Sequence, residues 1–377
     1  MSKRNTLICT VGTSLFEVNL KNLSEHTSDR PDNWEQIRQS YSKQNWKELA
    51  NELLQVEPTK RICGAEINTI EEVRRKNWLS LENLIFLVSD TPNGRNTGKF
   101  LIKYFSQRKE LNLRNLEYGV IDRLQDEHPT DFKIHGLRNL VRKAGEYIQR
   151  FGGPEYIAID ATGGYKAQIA IAVIVGQALN IPVFYKHERF SEIIDFPPLP
   201  ISFDHEILAN NADLLTDFDR GKAFSSDELG EVDEKLRVLL TEVLVDGKSM
   251  YELSAIGQIY LTGFRIRNPK PTKLTDASNK KSPSFREDHY PIGFKEFVEK
   301  VWREIPWIVT ANSLPYDKQK SIKGTGFFVR EEENKRKLIG TFQDKNNFGA
   351  RFCLHITDDS SAVLAWAADF LNREYKP

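Results

Sequence analysis

The chain has 377 residues, enough for two or three domains that bury their cores without disulfide or metal staples. Lys+Arg and Asp+Glu number 53 each, so no global basic field points to duplex DNA or an anionic membrane, and an anionic ligand needs a local site. Hydrophobic residues at 40% and charged residues at 28% exclude a disordered chain, while Cys9, Cys63 and Cys353 lie far apart without CxxC spacing, which suits a reducing cytosol. The apolar run Leu7–Val11 is too short for a signal peptide, and no stretch approaches the ~18 apolar residues of a membrane span. A cytoplasmic protein with no membrane partner is expected.

Up to about residue 205 the pattern alternates between strands and helices. Strands are predicted at Thr6–Val11, Leu84–Ser89, Leu116–Ile121, Tyr156–Asp160 and Ile181–Tyr185. Helical stretches lie between them at Trp34–Leu54, Thr69–Trp78, Gly98–Tyr104, Gly136–Phe151 and Tyr165–Leu179. Strands separated by helix-length segments imply βαβ units and a doubly wound, mostly parallel sheet of the α/β class. The continuous apolar runs Leu84–Val88 and Tyr156–Ile159 fit strands covered on both faces. Three prolines within Phe196–Pro200 end this first domain, set at 1–205. Residues 206–267 read as a helical or winged-helix-like connector, and 268–377 as a small α+β domain. That last domain opens on an exposed segment rich in Pro, Lys, Ser and Asn (268–286). Beyond it come a helix at Gly293–Glu304, strand-like runs at Gly326–Val329, Lys337–Phe342 and Ala350–Thr357, and a terminal helix at Ser360–Tyr375.

Two strand ends carry the strongest chemical signals. Gly12-Thr13-Ser14-Leu15 follows the first strand, and Thr162-Gly163-Gly164-Tyr165-Lys166 links a buried strand to a long apolar helix. Glycines at such turns let backbone approach a ligand, and the N–H groups at a helix start favour an anion. Lysine in a first helical turn opposes the helix dipole, so an anionic partner would account for Lys166; a solvated lysine on an ordinary βα turn is the alternative. Ser89-Asp90-Thr91-Pro92-Asn93-Gly94, after another strand, is a further pocket candidate, and Lys186-His187-Glu188-Arg189 a candidate rim. Neither GxxxxGK[ST] nor GxGxxG is present, which disfavours ATP hydrolysis and NAD chemistry.

Four segments in order, LICTVGTSLF, CGAEINTIEEV, IDATGGYKAQIAIA and FSEIIDFPPLPI, resemble the CARF (CRISPR-associated Rossmann fold) proteins, close to the branch that includes archaeal ring nucleases. The resemblance covers about the first 205 residues. It implies a homodimeric receptor of the cyclic oligoadenylate made by type III CRISPR complexes, most often cyclic tetra-adenylate, with Ser14 and Lys166 at the ring-cleaving positions. Cleavage would proceed by attack of the ribose 2′-hydroxyl on its own phosphate, with no metal and no other cofactor. Ligand contacts are then expected from Gly12, Thr13, Ser14, Leu15, Ser89, Asp90, Thr91, Thr162, Gly163, Gly164, Tyr165 and Lys166.

The C-terminal part is less legible. A HEPN-type Arg…His motif matches only Arg123…His128, inside the first domain, and Arg351…His355 is too tightly spaced. A PD-(D/E)xK nuclease would use Asp317, Glu333 and Lys335, but Glu333 lies in a charge-dense run. A RelE-like mRNA interferase needs basic side chains and an aromatic, and Tyr316, Lys318, Lys320, Lys323, Arg330, Arg336, Arg351 and His355 offer them, as would a solvated basic face. Single-stranded or ribosome-associated mRNA would be the partner in that alternative. A non-enzymatic, ligand-dependent regulator is the third reading.

Overall fold

The computed structural model describes residues 4–187, 192–230, 232–287, 289–316, 322, 324–332 and 335–377. Glu188, Arg189, Asp317, Lys318, Lys320, Lys323 and Glu333 lie outside them. The chain divides into two units, Met1–Ser202 with Ser254–Arg267, and Phe203–Leu253 with Asn268–Pro377.

In the first unit the described residues form a six-stranded sheet of order β3-β2-β1-β4-β5-β6. Its strands are β1 (Thr6–Thr10), β2 (Asn83–Ser89), β3 (Asn115–Ile121), β4 (Ile157–Asp160), β5 (Val183–Tyr185) and β6 (Ile194–Phe196). Neighbours pair in parallel, except β5 with β6. Every residue of β1, β2 and β4 is buried, which is why these strands are continuously apolar rather than alternating. This is the Rossmann-like α/β sheet the sequence predicts, with an antiparallel edge it does not.

The chain between β1 and β2 is richer than its pattern. The stretch 34–54 splits into two helices, Trp34–Ser42 and Trp46–Leu53, because Gln44 turns left-handed and Asn45 caps the second by accepting the Glu48 N–H. Phe16 stacks on Trp46 with ring centroids 5.0 Å apart and meets Phe100 at 5.8 Å, tying these helices to the sheet's own cover. The helix after β2 starts at Pro92, earlier than predicted, since Thr91 is its N-cap and proline suits the first helical position.

Residues 206–267 do not form one connector. The helix Ala255–Arg267 returns to the first unit and packs on the helices Leu137–Arg150 and Lys166–Leu179. A side chain at Gly145 would press within 2.6 Å of Thr262, so glycine permits that close crossing. Arg142 donates to Gln258 (2.7 Å) and Arg267 to the carbonyls of Ala178 (3.2 Å) and Ile201 (2.9 Å).

The second unit holds the helix His205–Asp219 and a three-stranded sheet of order β7-β9-β8: β7 (Phe224–Ser225), β8 (Leu240–Val245) and β9 (Lys248–Leu253). The β8–β9 hairpin turns on Asp246 and Gly247, both at positive φ, a D-G turn signal that the predicted run of helices passed over. The element order is that of a winged helix, yet the two helices between β7 and β8, Ser226–Leu229 and Glu234–Arg237, have only four residues each. A four-stranded antiparallel sheet of order β10-β13-β12-β11 completes the unit: β10 (Ile308–Ser313), β11 (Gly326–Glu332), β12 (Lys335–Gln343) and β13 (Gly349–Ile356). Its flanking helices are Phe294–Glu304 and Ser361–Tyr375, as the sequence suggests for an α+β domain; β10 is an addition. The buried Asn372 side chain donates to the Phe327 carbonyl (2.5 Å) and accepts its N–H (2.9 Å), closing the sheet edge at β11.

Phe86 is fully buried in β2 against Phe105. Phe86→Ala should lower the unfolding free energy of the first unit by about 3–5 kcal/mol, read from a denaturant titration. A loss below about 1 kcal/mol would show that this strand is not the centre of the core.

Candidate anion-binding site

In a doubly wound sheet the chain leaves the carboxyl ends of β1 and β4 in opposite directions, and the crevice between them is the natural ligand site. The two glycine-bearing loops leave those two strand ends. They are held against each other before any ligand is considered. The Thr10 hydroxyl donates to the Gly163 carbonyl at 2.5 Å. A Cβ on Gly12 would fall 2.8 Å from the Gly164 nitrogen, and one on Gly163 would collide with Glu66 Oε1. These glycines are therefore required by contact between the loops, where the sequence suggests contact with a ligand.

Not every N–H of the loops is free. Gly12 donates to Glu66 Oε1 at 2.8 Å and Thr162 to Asp160 Oδ1 at 3.0 Å. The N–H groups of Thr13, Ser14, Gly163 and Gly164 have no acceptor among the described residues. They stand beside a cleft of about 400 Å³ lined by Gly12, Thr13, Ser14, Ser89, Thr162, Gly163, Gly164, Tyr165, Tyr185, Lys186 and His187, among others. Tyr165 packs edge-on against Phe132, and burial pushes its hydroxyl up to about 12. The Thr162 hydroxyl receives bonds from the Lys186 N–H (3.0 Å) and from Thr69 (3.2 Å), so it is already oriented.

The predicted residues divide by position. Ser14 is exposed at the cleft and precedes the short helix Leu15–Leu20 without a side-chain capping bond, so its hydroxyl is not spent on the helix. Leu15 is fully buried, so its side chain belongs to the core and reaches no ligand. Asp90 is spent on Arg95 (2.5 Å) and on the Arg123 N–H (3.3 Å); Thr91 accepts the Gly94 N–H (3.0 Å). Of that segment Ser89 alone is among the residues that line the cleft. Lys166 is exposed on the first helical residue, outside the cleft lining, and makes no ion pair among the described residues.

A second hollow of about 480 Å³ adjoins the first through Ser14, Ala65, Thr162, Lys186 and His187. It adds Arg61, Arg75 and Lys76, cations that the sequence reading did not single out. Arg75 and Lys76 sit at the end of the helix Ala65–Arg75, where they also complement its dipole, so their pattern in sequence was that of an ordinary helix terminus. Lys186 is ion-paired with Glu72 on the same wall.

Beneath the loops lie two buried carboxyls, each with one oxygen that has no hydrogen-bond partner among the described residues, Glu66 Oε2 and Asp160 Oδ2. Burial pushes Asp160 up to about 7, with Glu66 adding to the rise; Glu66 is raised by burial, opposed by its bond from Gly12, and the Cys9 thiol is pushed well above its ordinary value.

In the second unit the proposed effector residues do not meet. Tyr316 stacks on Phe348 (5.6 Å) just before β13 begins, whereas His355 lies near that strand's far end, about 20 Å away by strand rise. His355 contacts Asn312 at 3.0 Å, and burial with Lys337 nearby lowers its pKa. Arg330 pairs in register with Lys337, which neighbours His355, so these three share a row across the sheet. Arg351 is the third residue of β13, opposite Thr341, and Arg336 pairs with Glu206.

Residues 61–199 match the family described as "CRISPR-associated protein (Cas_APE2256)". The match contains the CGAEINTIEEV segment, the TGGYK loop and its helix, and most of FSEIIDFPPLPI, three of the four segments that carry the resemblance read from the sequence. No curated protein matches the chain. Among solved structures, Can2 from Sulfobacillus thermosulfidooxidans in complex with cyclic tetra-adenylate is 9% identical, with 90% of this chain and 74% of that chain covered and a TM-score of 0.25. Protein VC1899 from Vibrio cholerae is 8% identical, with 94% and 77% covered and a TM-score of 0.25. Overlays at that score establish neither a shared fold nor a shared activity.

Between its ordinary 3.8 and about 7, Asp160 keeps a proton in the native state that it releases on unfolding. The stability this group contributes is therefore fully present below the lower value and is lost as pH rises through the window. Asp160→Asn keeps an acceptor for the Thr162 N–H and removes the titration. Denaturant midpoints from pH 4.5 to 7.5 should fall less steeply in the variant; parallel profiles would place the proton elsewhere.

Proposed function

We propose that the first unit binds a cyclic oligoadenylate, cyclic tetra-adenylate foremost, and cleaves it as a metal-independent ring nuclease of a type III CRISPR pathway. The observation that carries this reading is the set of N–H groups at Thr13, Ser14, Gly163 and Gly164 that no described residue accepts, gathered with the hydroxyls of Ser14 and Thr162 at the switch point of the sheet. Such a site suits phosphate without needing the motifs of ATP or NAD enzymes. The CRISPR-associated family match over 61–199 supports the CRISPR setting of this reading.

The chemistry needs little machinery. The ribose 2′-oxygen attacks the adjacent phosphorus in line, the 5′-oxygen of the next nucleotide leaves and takes up a proton, and a 2′,3′-cyclic phosphate remains. The protein's task is positioning and charge stabilisation. Ser14, exposed at the cleft, orients the ribose, and the loop N–H groups bind the phosphate. Lys166 meets a phosphate that extends past the cleft toward the helix start. A ring with rotational symmetry is best enclosed by two copies of these loops, so a two-fold dimer belongs to this reading.

Labelled cyclic tetra-adenylate incubated with the protein in EDTA should yield linear products ending in 2′,3′-cyclic phosphate. Lys166→Ala should slow this tenfold or more, since a charge-assisted phosphate contact is worth about 1.5–3 kcal/mol. A wild-type rate in the variant sinks the assignment of Lys166. Light scattering should report a dimer, and a monomer with and without ligand counts against the shared ring site.

The row Arg330, Lys337 and His355 favours a second reading for the other unit: a cyclic oligoadenylate-activated ribonuclease, RelE-like in using basic side chains rather than metal. Labelled RNA in the same incubation tests it, with cleavage dependent on the ring and retained in EDTA.

A further inference from the structure

We infer that Glu66 is the positioning residue that spaces the two phosphate-facing loops. The inference rests on the reading of the cleft as an anion site. Glu66 lies in the first turn of the helix Ala65–Arg75 and is 1% exposed. One of its oxygens does two things at once. Oε1 accepts the Gly12 N–H at 2.8 Å, and it packs so closely on Gly163 that a Cβ there would collide with it. A single atom therefore sets the separation of the GTS and TGG turns.

The bond from Gly12 also fixes the direction of the peptide that leads into Thr13 and Ser14, whose N–H groups border the cleft. Without it, Gly12 would be a buried donor with no partner, and the turn would rotate to recover one. The other oxygen, Oε2, is buried without a partner, as is Asp160 Oδ2. The titratable groups that face this carboxyl are Asp160 from β4 and Cys9 from β1, neither of them a cation. A carboxylate there would be desolvated beside another acid and would repel a phosphate bound just above it. Burial favours the neutral acid, the form that spaces the loops without opposing the ligand. Proton retention and phosphate binding then favour each other.

Three variants of the full chain separate this role from general stability. Glu66→Gln keeps the reach, the acceptor and neutrality. Glu66→Asp keeps the acid but falls one methylene short of Gly12. Glu66→Ala removes the group. Calorimetric titration with cyclic tetra-adenylate should give Glu66→Gln an affinity within about threefold of the wild type, and Glu66→Asp a loss of about tenfold or more. Thermal melting monitors the fold, and if Glu66→Ala does not fold, Glu66→Asp decides. Wild-type affinity in Glu66→Asp overturns the spacing role, and a tenfold loss in Glu66→Gln overturns the neutral-acid account. If the wild-type protein binds no cyclic tetra-adenylate, the functional reading fails by itself. The spacing role is then read from hydrogen exchange at the Gly12 amide, which must quicken in Glu66→Asp and stay slow in Glu66→Gln; equal rates in both sink it.

Discussion

The first unit is organised around one approach: the backbone of Gly12 against that of Gly163 and Gly164, over a carboxyl that touches both. It exists because β1 and β4 are neighbours in the sheet, with Cys9 beside Asp160 in register. The two loops start at adjacent strand ends and touch before they diverge, and nothing larger than hydrogen fits at the facing α-carbons. The N–H groups of Thr13, Ser14, Gly163 and Gly164 then have no acceptor among the described residues and border the cleft. The cost of leaving donors without protein acceptors is acceptable at a surface that water or an anion can reach, and it is what makes the site.

The electrostatics follow from depth. Glu66 and Asp160 sit under the loops, out of water, each satisfied by one backbone N–H and each with an orphaned oxygen. Burial favours their neutral forms, so the floor of the site carries less negative charge than its composition suggests. Cations stand on the walls of the adjoining hollow, Arg61, Arg75, Lys76 and Lys186, the last two paired with Glu72 on the same lining. A chain with zero net charge can in this way offer an anion site, because charge is sorted by position and not by total.

The second unit obeys the same physics with a different result. Its four-stranded sheet is antiparallel, its core is aromatic around Phe294, Phe297, Phe327 and Phe352, and its edge at β11 is closed by Asn372. The residues with nucleolytic potential are spread over β11, β12 and β13, and the rise of β13 between Phe348, on which Tyr316 stacks, and His355 keeps Tyr316 and His355 apart. Family-level arithmetic on residue types could not see this separation, because it depends on which end of a strand each residue occupies.

What the sequence alone determined is the part governed by local rules. Continuous apolar strands between helical stretches specify a parallel sheet, and the two glycine loops mark the carboxyl ends of its adjacent strands β1 and β4, since period and turn chemistry are properties of neighbouring residues. The Thr91-Pro92 cap and the Asp246-Gly247 turn were also written there, although the first reads as a pocket turn and the second was passed over. Tertiary structure decided the rest. It sent Ala255–Arg267 back to the first unit, because only Gly145 lets that helix approach closely enough. It put Leu15 in the core and made Asp90 a partner of Arg95. Above all it brought Glu66, 54 positions from Gly12, beneath both loops. A buried acid whose partners are distant backbone groups leaves no spacing in the sequence, because the contact that defines it exists only after the sheet has formed.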